Sequence, residues 1–180
     1  MFNIYYFRNL IWVTSDTHFF HQKLIENGVR KPEFNKEIIA QWNTLVSPDD
    51  TVIHCGDVIM ASHQEVGKVL KKLNGIKILV RGNHDQQRGA NFWLNMGFAF
   101  VCDSFKLKYQ GLTIKFSHKP RASLNTDLNI HGHVHSEYRR SQLTFALTQR
   151  HINVAIDENE LKLRSEERRV GKECRSRWTP

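Results

Sequence analysis

The sequence predicts an α/β fold, and two observations lead to that class. In the first half of the chain, short apolar segments rich in β-branched residues alternate with longer segments of helical period. This order of strand, helix, strand, helix and strand is typical of α/β proteins. In the second half, short strand-like segments follow one another with turn residues between them, which indicates a mixed sheet system within one domain.

The first half contains three predicted strands and two predicted helices. The strands are predicted at Leu10–Ser15, Thr51–Cys55 and Ile76–Val80. Helices are predicted at Lys36–Val46 and Glu65–Leu73, because apolar residues recur on one face of each segment. Ser47-Pro48 ends the first helix and Asn74-Gly75 ends the second.

The second half opens with a helical stretch near Arg88–Met96 and continues with strands. These are predicted at Phe98–Cys102, Ser104–Tyr109, Leu112–Ser117, Leu128–His131, His151–Ala155 and Leu161–Leu163. Hairpin turns are expected at Gln110-Gly111 and at Asp157-Glu158-Asn159, since both contain turn-forming residues. Residues Tyr138–Gln149 are expected to form a surface loop.

The composition is that of an ordinary globular domain. The 180 residues, of 21.1 kDa, are 40% hydrophobic and 24% charged. No apolar run approaches the roughly 20 residues needed to cross a bilayer, and residues 1–10 make a poor signal peptide. Three scattered cysteines form neither a disulfide framework nor a zinc ribbon, so we expect a cytoplasmic protein.

The formal net charge of +8 is not concentrated in one basic block. Residues 164–180 hold six Arg or Lys against three Glu, and the remaining charge is spread along the chain. Nucleic acid is therefore a possible partner but not the favoured one, whereas an anionic phosphate substrate suits this charge. We assign residues 1–163 to the domain. Residues 164–180 resemble a translated cloning sequence, so they are interpreted as a non-native extension or as a disordered basic tail.

Five short clusters carry residues that bind metal ions or act as acids and bases. They are Asp16-Thr17-His18, Gly56-Asp57, Gly82-Asn83-His84-Asp85, Ser117-His118 and Gly132-His133-Val134-His135. Each cluster alone is weak evidence, because single histidines and Gly-Asp pairs commonly have structural roles. Four of the five directly follow a predicted strand, so their side chains can meet at one sheet edge. Their oxygen and imidazole donors suit Mn, Fe, Zn and similar divalent ions.

The spacing within two clusters also favours convergence. Asp16 and His18 are two residues apart, as are His133 and His135, so in extended backbone each pair projects to one side. Glycines before Asp57, Asn83 and His133 are expected to let the backbone turn sharply or approach a bound ion.

Together, the five clusters resemble those of the calcineurin-like metallophosphoesterase superfamily, in particular its small bacterial and phage members. The resemblance runs from about Leu10 to Leu163. It implies a four-layer αββα sandwich of two mixed sheets flanked by helices, with a dinuclear metal site at the strand ends. It implies that the first metal is held by Asp16, His18 and His135, and the second by Asn83, His118 and His133. Asp57 would bridge the two ions, and His84 would lie beside them without ligating either.

This resemblance implies a hydrolytic mechanism that agrees with general metal chemistry. A bridging carboxylate holds two cations about 3.5–4 Å apart, and a water between them becomes hydroxide at neutral pH and attacks phosphorus. His84 would protonate the leaving oxygen as general acid. Asp85 would either orient the His84 ring or cap a turn. Asn83 and Arg121 are candidate substrate-binding residues, although Arg121, like Lys119, also fits a surface charge.

We therefore expect a metal-dependent phosphoesterase that acts on a phosphate-ester small molecule or nucleotide, with diesters favoured over monoesters. Two divalent ions are expected as cofactors, with Mn favoured over Fe, Zn, Co or Ni. The alternative is a non-catalytic metal-binding scaffold of the same fold, which would have no reason to retain His84. A nuclease subunit would need further domains or an extended basic groove.

Overall fold

The computed structural model describes residues 9–121, 126–135, 151–159 and 163–165. The loop predicted at Tyr138–Gln149 lies outside these ranges, as does the chain after Ser165. Among the described residues, none of the helices has the length and apolar character of a membrane span.

The first sheet has five strands in the order β4-β3-β2-β1-β9. They are β1 (Ile11–Thr14), β2 (Thr51–His54), β3 (Ile76–Val80), β4 (Phe98–Cys102) and β9 (Arg164–Ser165). Strands β1 to β4 are parallel, and β9 is antiparallel to β1. The carboxyl ends of β1, β2 and β3 therefore share one edge of the sheet, where the predicted ligand clusters begin.

The second sheet has four strands in the order β5-β6-β7-β8. They are β5 (Ser104–Tyr109), β6 (Leu112–Ser117), β7 (Leu128–His131) and β8 (His151–Asn153). β5 and β6 form an antiparallel hairpin, and β6, β7 and β8 are parallel. The predicted Gln110-Gly111 turn is confirmed, with φ angles of 48° and 83° that fit a tight hairpin turn.

Four α-helices occur in the described residues: α1 (Gln22–Glu26), α2 (Phe34–Leu45), α3 (His63–Leu70) and α4 (Ala90–Asn95). The short helix α1 begins directly after His21, its N-cap residue. Helix α3 begins two residues before its predicted start, because Ser62 and Glu65 form a capping box. The Ser62 hydroxyl accepts from the Glu65 backbone N–H, and the Glu65 carboxylate accepts from the Ser62 backbone N–H at 2.9 Å.

Two hydrophobic clusters hold these elements together. The larger joins all four helices to the first sheet, with Trp42 of α2 and Trp93 of α4 fully buried against it. The smaller lies between the sheets and joins Ile53 and Val80 to Phe116 of β6. The predicted α/β class, with two mixed sheets packed together and flanked by helices, is confirmed. In the described residues the helices cover the first sheet, so a helical layer on the far face of the second remains a prediction.

One expectation near the end of the domain was wrong, and another falls mostly on residues outside the described ranges. Asp157-Glu158-Asn159 belongs to a 3₁₀ helix, Ile156–Asn159, rather than to a hairpin turn, and the Asp157 carboxylate is bound by Arg30. Of the strand predicted at Leu161–Leu163, residues 161 and 162 lie outside the described ranges, so that strand stays a prediction. The last described strand is Arg164–Ser165, which pairs with Val13 and Trp12.

Candidate metal centre

The seven predicted metal ligands follow the carboxyl ends of five strands. Asp16 and His18 follow β1, Asp57 follows β2, Asn83 follows β3, His118 follows β6, and His133 and His135 follow β7. The two sheets meet at this edge, where the His133 backbone N–H donates to Asp16 Oδ2 at 2.9 Å. The strand-end placement expected from the sequence is thus what the structure contains.

The backbone of the ligand loops is left-handed rather than extended. Asp16, His18, Asp57 and His133 have φ angles of 60°, 44°, 57° and 69°. The expectation that Asp16 and His18, or His133 and His135, converge through extended backbone was therefore wrong. Their side chains meet because the loops turn sharply. Such backbone costs of order 1–3 kcal/mol per residue and clusters at functional sites.

Two glycines make room for the carboxylates. A Cβ on Gly82 would lie 2.1 Å from Asp57 Oδ1, and one on Gly132 would lie 2.2 Å from Asp16 Oδ2. Both distances are far inside van der Waals contact. Gly82 and Gly132 are therefore needed because the carboxylates of Asp57 and Asp16 lie directly against their backbone. From the sequence, glycines were expected here for sharp turns or for the approach of a bound ion.

The first group of potential ligands consists of Asp16, His18 and His135, whose donor atoms lie within 4.8 Å of one another. Asp16 Oδ1 is 3.1 Å from His135 Nε2 and 3.8 Å from His18 Nε2. This oxygen is buried, and within the described part of the chain no group reaches it in hydrogen-bond geometry. A buried carboxylate oxygen without a donor is costly, and a cation between it and the imidazoles would satisfy it.

The second group consists of Asp57, His118 and His133, again within 4.8 Å. His118 Nε2 lies 3.0 Å from Asn83 Oδ1, 3.1 Å from His133 Nδ1 and 3.4 Å from Asp57 Oδ2. Its Nδ1 is 2.8 Å from the Cys55 carbonyl, which can only accept, so that nitrogen carries a proton. In the neutral ring, Nε2 is then one of several electron-pair donors around one point, an arrangement that suits a cation.

Asp57 lies between the two groups. Its Oδ2 is 3.7 Å from His18 Nε2 in the first group and 3.4 Å from His118 Nε2 in the second. Its Oδ1 accepts from the His84 backbone N–H at 3.0 Å, which fixes the carboxylate. Burial raises the pKa of Asp57, but the hydrogen bond and charge of His118 lower it by a larger amount. The pKa of Asp57 is therefore below its ordinary value. One ionised oxygen therefore faces both groups.

Two of the four ligand imidazoles, those of His18 and His133, are held in the neutral form that binds metals. Burial lowers the pKa of His18 to about 3, and burial together with nearby His118 lowers that of His133 to about 4. Burial also lowers the pKa of His118, but its hydrogen bond to Asp57 and the charges of Asp16 and Asp57 raise it above its ordinary value. Burial lowers the pKa of His135, but the hydrogen bond to Asp157 and the charges of Asp16 and Asp157 outweigh it and raise the pKa to about 9. Metal binding at the first group would therefore release a proton from His135.

A buried arginine supports the first group and was missed from the sequence. Arg30 donates to the carbonyl oxygens of Asp16 and Thr17 and to both oxygens of Asp157. Asp157 Oδ2 in turn lies 3.1 Å from His135 Nδ1, so it orients that ring. Arg30 and Asp157 are 127 residues apart and belong to no motif, so no sequence signal marked them.

Replacing Arg30 by glutamine tests this support. The change removes the guanidinium that donates to the Asp157 carboxylate and to the carbonyl oxygens of Asp16 and Thr17. It should lower the free energy of unfolding by roughly 3–5 kcal/mol. Because His135 loses its orientation, metal affinity should fall by about 10–100-fold. Urea unfolding and calorimetric Mn²⁺ titration would measure these effects.

The matched control for stability is Arg81→Gln, which breaks an ion pair with Asp103 whose side chain is 67% exposed. That pair should contribute less than about 1 kcal/mol. If Arg30→Gln and Arg81→Gln lowered the free energy of unfolding equally, or if Arg30→Gln left the Mn²⁺ affinity unchanged, Arg30 would not support the centre.

Asp85 does not orient the His84 ring. Its two carboxylate oxygens accept from the backbone N–H groups of Asp57, Val58 and Gly82, at 2.7, 3.0 and 2.8 Å. The side chain is fully buried. Of the two roles considered from the sequence, the turn-capping role is the one that the contacts support. The expected catalytic role of Asp85 is corrected to that of a residue that positions the loop carrying Asp57.

His84 lies beside both groups. Its Nε2 is 3.9 Å from Asp57 Oδ2, its ring is 5.4 Å from that of His18, and its side chain is 35% exposed. His21 is 6.2 Å from His84 between ring centres. Arg121 is exposed and, with Asn83 and His118, lines a cavity next to the second group.

The similarity to known proteins extends over most of the chain. Residues 10–154 match the sequence model of the calcineurin-like phosphoesterase superfamily domain. The chain is 29% identical over 156 residues to uncharacterised protein MJ1445 of Methanocaldococcus jannaschii, covering 82% of this chain and 81% of that protein. It is 24% identical to the Gene 66 protein of Mycobacterium phage D29, covering 82% and 87%. The solved structure of AQ665 from Aquifex aeolicus, a protein of unknown function, is similar with a TM-score of 0.74 and 27% identity, covering 92% of this chain and 99% of that one.

Proposed function

Because this chain belongs to the calcineurin-like phosphoesterase superfamily, we propose that it is a metal-dependent phosphodiesterase with a dinuclear centre. The family supports the coarser statement, a metal-dependent phosphoesterase. The observation that carries the dinuclear centre is the position of Asp57, whose Oδ2 faces an imidazole of each of the two potential ligand groups.

The proposed ligands follow from these groups. Asp16, His18 and His135 hold one ion, Asn83, His118 and His133 hold the other, and Asp57 lies between them. When bound, two divalent ions supply a hydrolytic water at neutral pH and neutralise charge on the phosphoryl group. Manganese is favoured, with Fe, Zn, Co and Ni as other candidates for this mixed oxygen and nitrogen donor set.

His84 is proposed as the general acid. Its imidazole lies at the edge of the centre, close enough to Asp57 to reach a phosphoryl group held there. Its partial exposure allows it to regain a proton from solvent after each turnover. The ring would protonate the leaving oxygen, which matters most when the leaving group is a poor one.

The proposed substrate is a phosphate diester of a small molecule or nucleotide. Asn83 and Arg121 are its proposed contacts, because both line the cavity beside the second group. A nucleic-acid strand is less favoured, since the basic residues form no single block in the sequence. A cytoplasmic location is proposed, and the free thiols of Cys55 and Cys102 are compatible with a reducing compartment.

Hydrolysis of bis(4-nitrophenyl) phosphate and 4-nitrophenyl phosphate, with Mn²⁺ or with a chelator, tests the proposal. We expect metal-dependent turnover with a higher kcat/KM for the diester. Faster turnover of the monoester would reverse the substrate class. Two bound ions per chain without turnover of either ester would favour the scaffold.

A further inference from the structure

A cavity of about 300 Å³ opens beside the second ligand group. Its lining includes Arg81, Asn83, Gln86, His118, Lys119 and Arg121. Asn83 and His118 thus belong both to the cavity and to the proposed metal centre. A molecule in this cavity would touch the same side chains that hold the second ion, so the cavity and the centre are neighbouring parts of one site.

The cavity is positively charged. Three cationic side chains, of Arg81, Lys119 and Arg121, and one carboxylate, of Asp103, line it, which gives a formal charge of +2 apart from the histidine. Asp103 Oδ1 accepts from Arg81 Nε and Nη2 at 3.0 and 2.7 Å and thereby fixes the guanidinium. Over the described ranges, the side chains of Lys119 and Arg121 donate no hydrogen bond, so both cations are available to a ligand.

The segment that carries Lys119 and Arg121 is anchored to the second sheet. The Ser117 hydroxyl donates to the Lys119 carbonyl at 2.8 Å, and the Arg121 backbone N–H donates to Asn129 Oδ1 at 3.0 Å. Asn129 is buried in β7 and donates from Nδ2 to the Ser117 hydroxyl at 2.9 Å. The backbone that presents the two cations is therefore held in place before a ligand arrives, which lowers the entropic cost of binding.

We propose that this cavity binds a second phosphate of the substrate, so that the enzyme prefers phosphate diesters that carry a further phosphate on the same molecule. The inference rests on the proposed function, since it requires the scissile phosphate to lie at the centre next to Asp57. A volume near 300 Å³ is at the small end of ligand sites, which suits one phosphate and a few attached atoms. Arginine and lysine together provide charge-assisted hydrogen bonds to such an anion.

Two substrates that differ only in the second phosphate test the proposal. They are the 4-nitrophenyl ester of thymidine 5′-phosphate and the same ester with a phosphate on the 3′ oxygen. With Mn²⁺ at low ionic strength, kcat/KM should be about tenfold higher for the 3′-phosphorylated ester, because one charge-assisted hydrogen bond is worth a tenfold change or more. Salt should reduce this preference.

The decisive variant is Lys119→Gln with Arg121→Gln, and the matched control is Lys108→Gln, which removes an exposed charge of β5 outside the cavity. The double variant should bring the ratio of the two kcat/KM values close to one, and the control should keep it. An equal rate for both esters in the unmodified protein would overturn the inference and leave the proposed function standing.

If neither ester is hydrolysed, that result counts against the proposed function alone. A binding measurement then still tests whether the cavity holds a second phosphate. Thymidine 3′,5′-bisphosphate and thymidine 5′-phosphate would be titrated calorimetrically into the chelator-treated protein. A roughly tenfold tighter bisphosphate complex that is lost in the double variant supports the inference. Equal affinities for the two ligands would overturn it.

Discussion

Replacing Asp57 by asparagine is expected to reduce hydrolysis of a phosphate diester by at least about 10³-fold, or about 4 kcal/mol of transition-state stabilisation. The change keeps Oδ1, which accepts from the His84 backbone N–H, but it removes the charge from the oxygen that faces both ligand groups. Two cations close together repel each other without an anionic ligand between them. At least one of the two proposed ions should therefore be lost.

Thermal unfolding provides a second measure of the same change. Mn²⁺ at about 100 times its dissociation constant should stabilise the unmodified protein by about 2.7 kcal/mol, and the Asp57→Asn protein should lose most of this gain. Asp49→Asn changes an exposed carboxylate that precedes the amino end of β2, whereas the ligands follow the carboxyl ends of the strands. It is the control and should behave as the unmodified protein. Full activity or full Mn²⁺ stabilisation of Asp57→Asn would exclude a bridging role.

The second large effect is expected for His84→Asn, and its size should depend on the leaving group. Removal of a general acid costs about 10²–10⁴-fold when the leaving oxygen needs a proton. The cost should be greatest for alkyl diesters, whose leaving alkoxides are strongly basic, and small for 4-nitrophenyl esters. His84 is not among the proposed ligands, so the number of ions bound per chain should not change.

The measurement is the dependence of log kcat/KM on the pKa of the leaving alcohol, for the unmodified protein and His84→Asn. The variant should show the steeper dependence. His63→Asn is the control, because His63 is exposed on α3 and contacts Phe92 rather than the centre. An equal fall in kcat/KM for all leaving groups would mean that His84 stabilises charge or structure and does not transfer the proton.

The positions of the ligands could be predicted from the sequence because each cluster follows a recognisable strand. Asp57 follows the apolar run of β2, and Asn83 follows that of β3. Parallel strands bring such ends to a common edge whatever the details of the loops. The prediction thus depended on local apolar patterns and on sheet topology, both of which a single sequence reveals.

The supporting contacts could not be predicted, because they join distant segments or depend on loop conformation. Arg30 reaches Asp157 across 127 residues, and nothing in either segment distinguishes an ion pair from two surface charges. The left-handed backbone at Asp16 and His18 has only a weak signal in residue type, since Asp and His adopt it more often than most L-residues but still rarely. For Asp85 the sequence left two roles open, and only its backbone partners favour the capping role.

The central claim, a centre of two metal ions held by these side chains, is tested most directly by anomalous diffraction from crystals soaked in Mn²⁺. Data collected on either side of the manganese edge should give two difference peaks. One is expected among Asp16, His18 and His135, the other among Asn83, His118 and His133, with Asp57 between them. A single peak, or peaks away from these side chains at saturating Mn²⁺, would contradict the account.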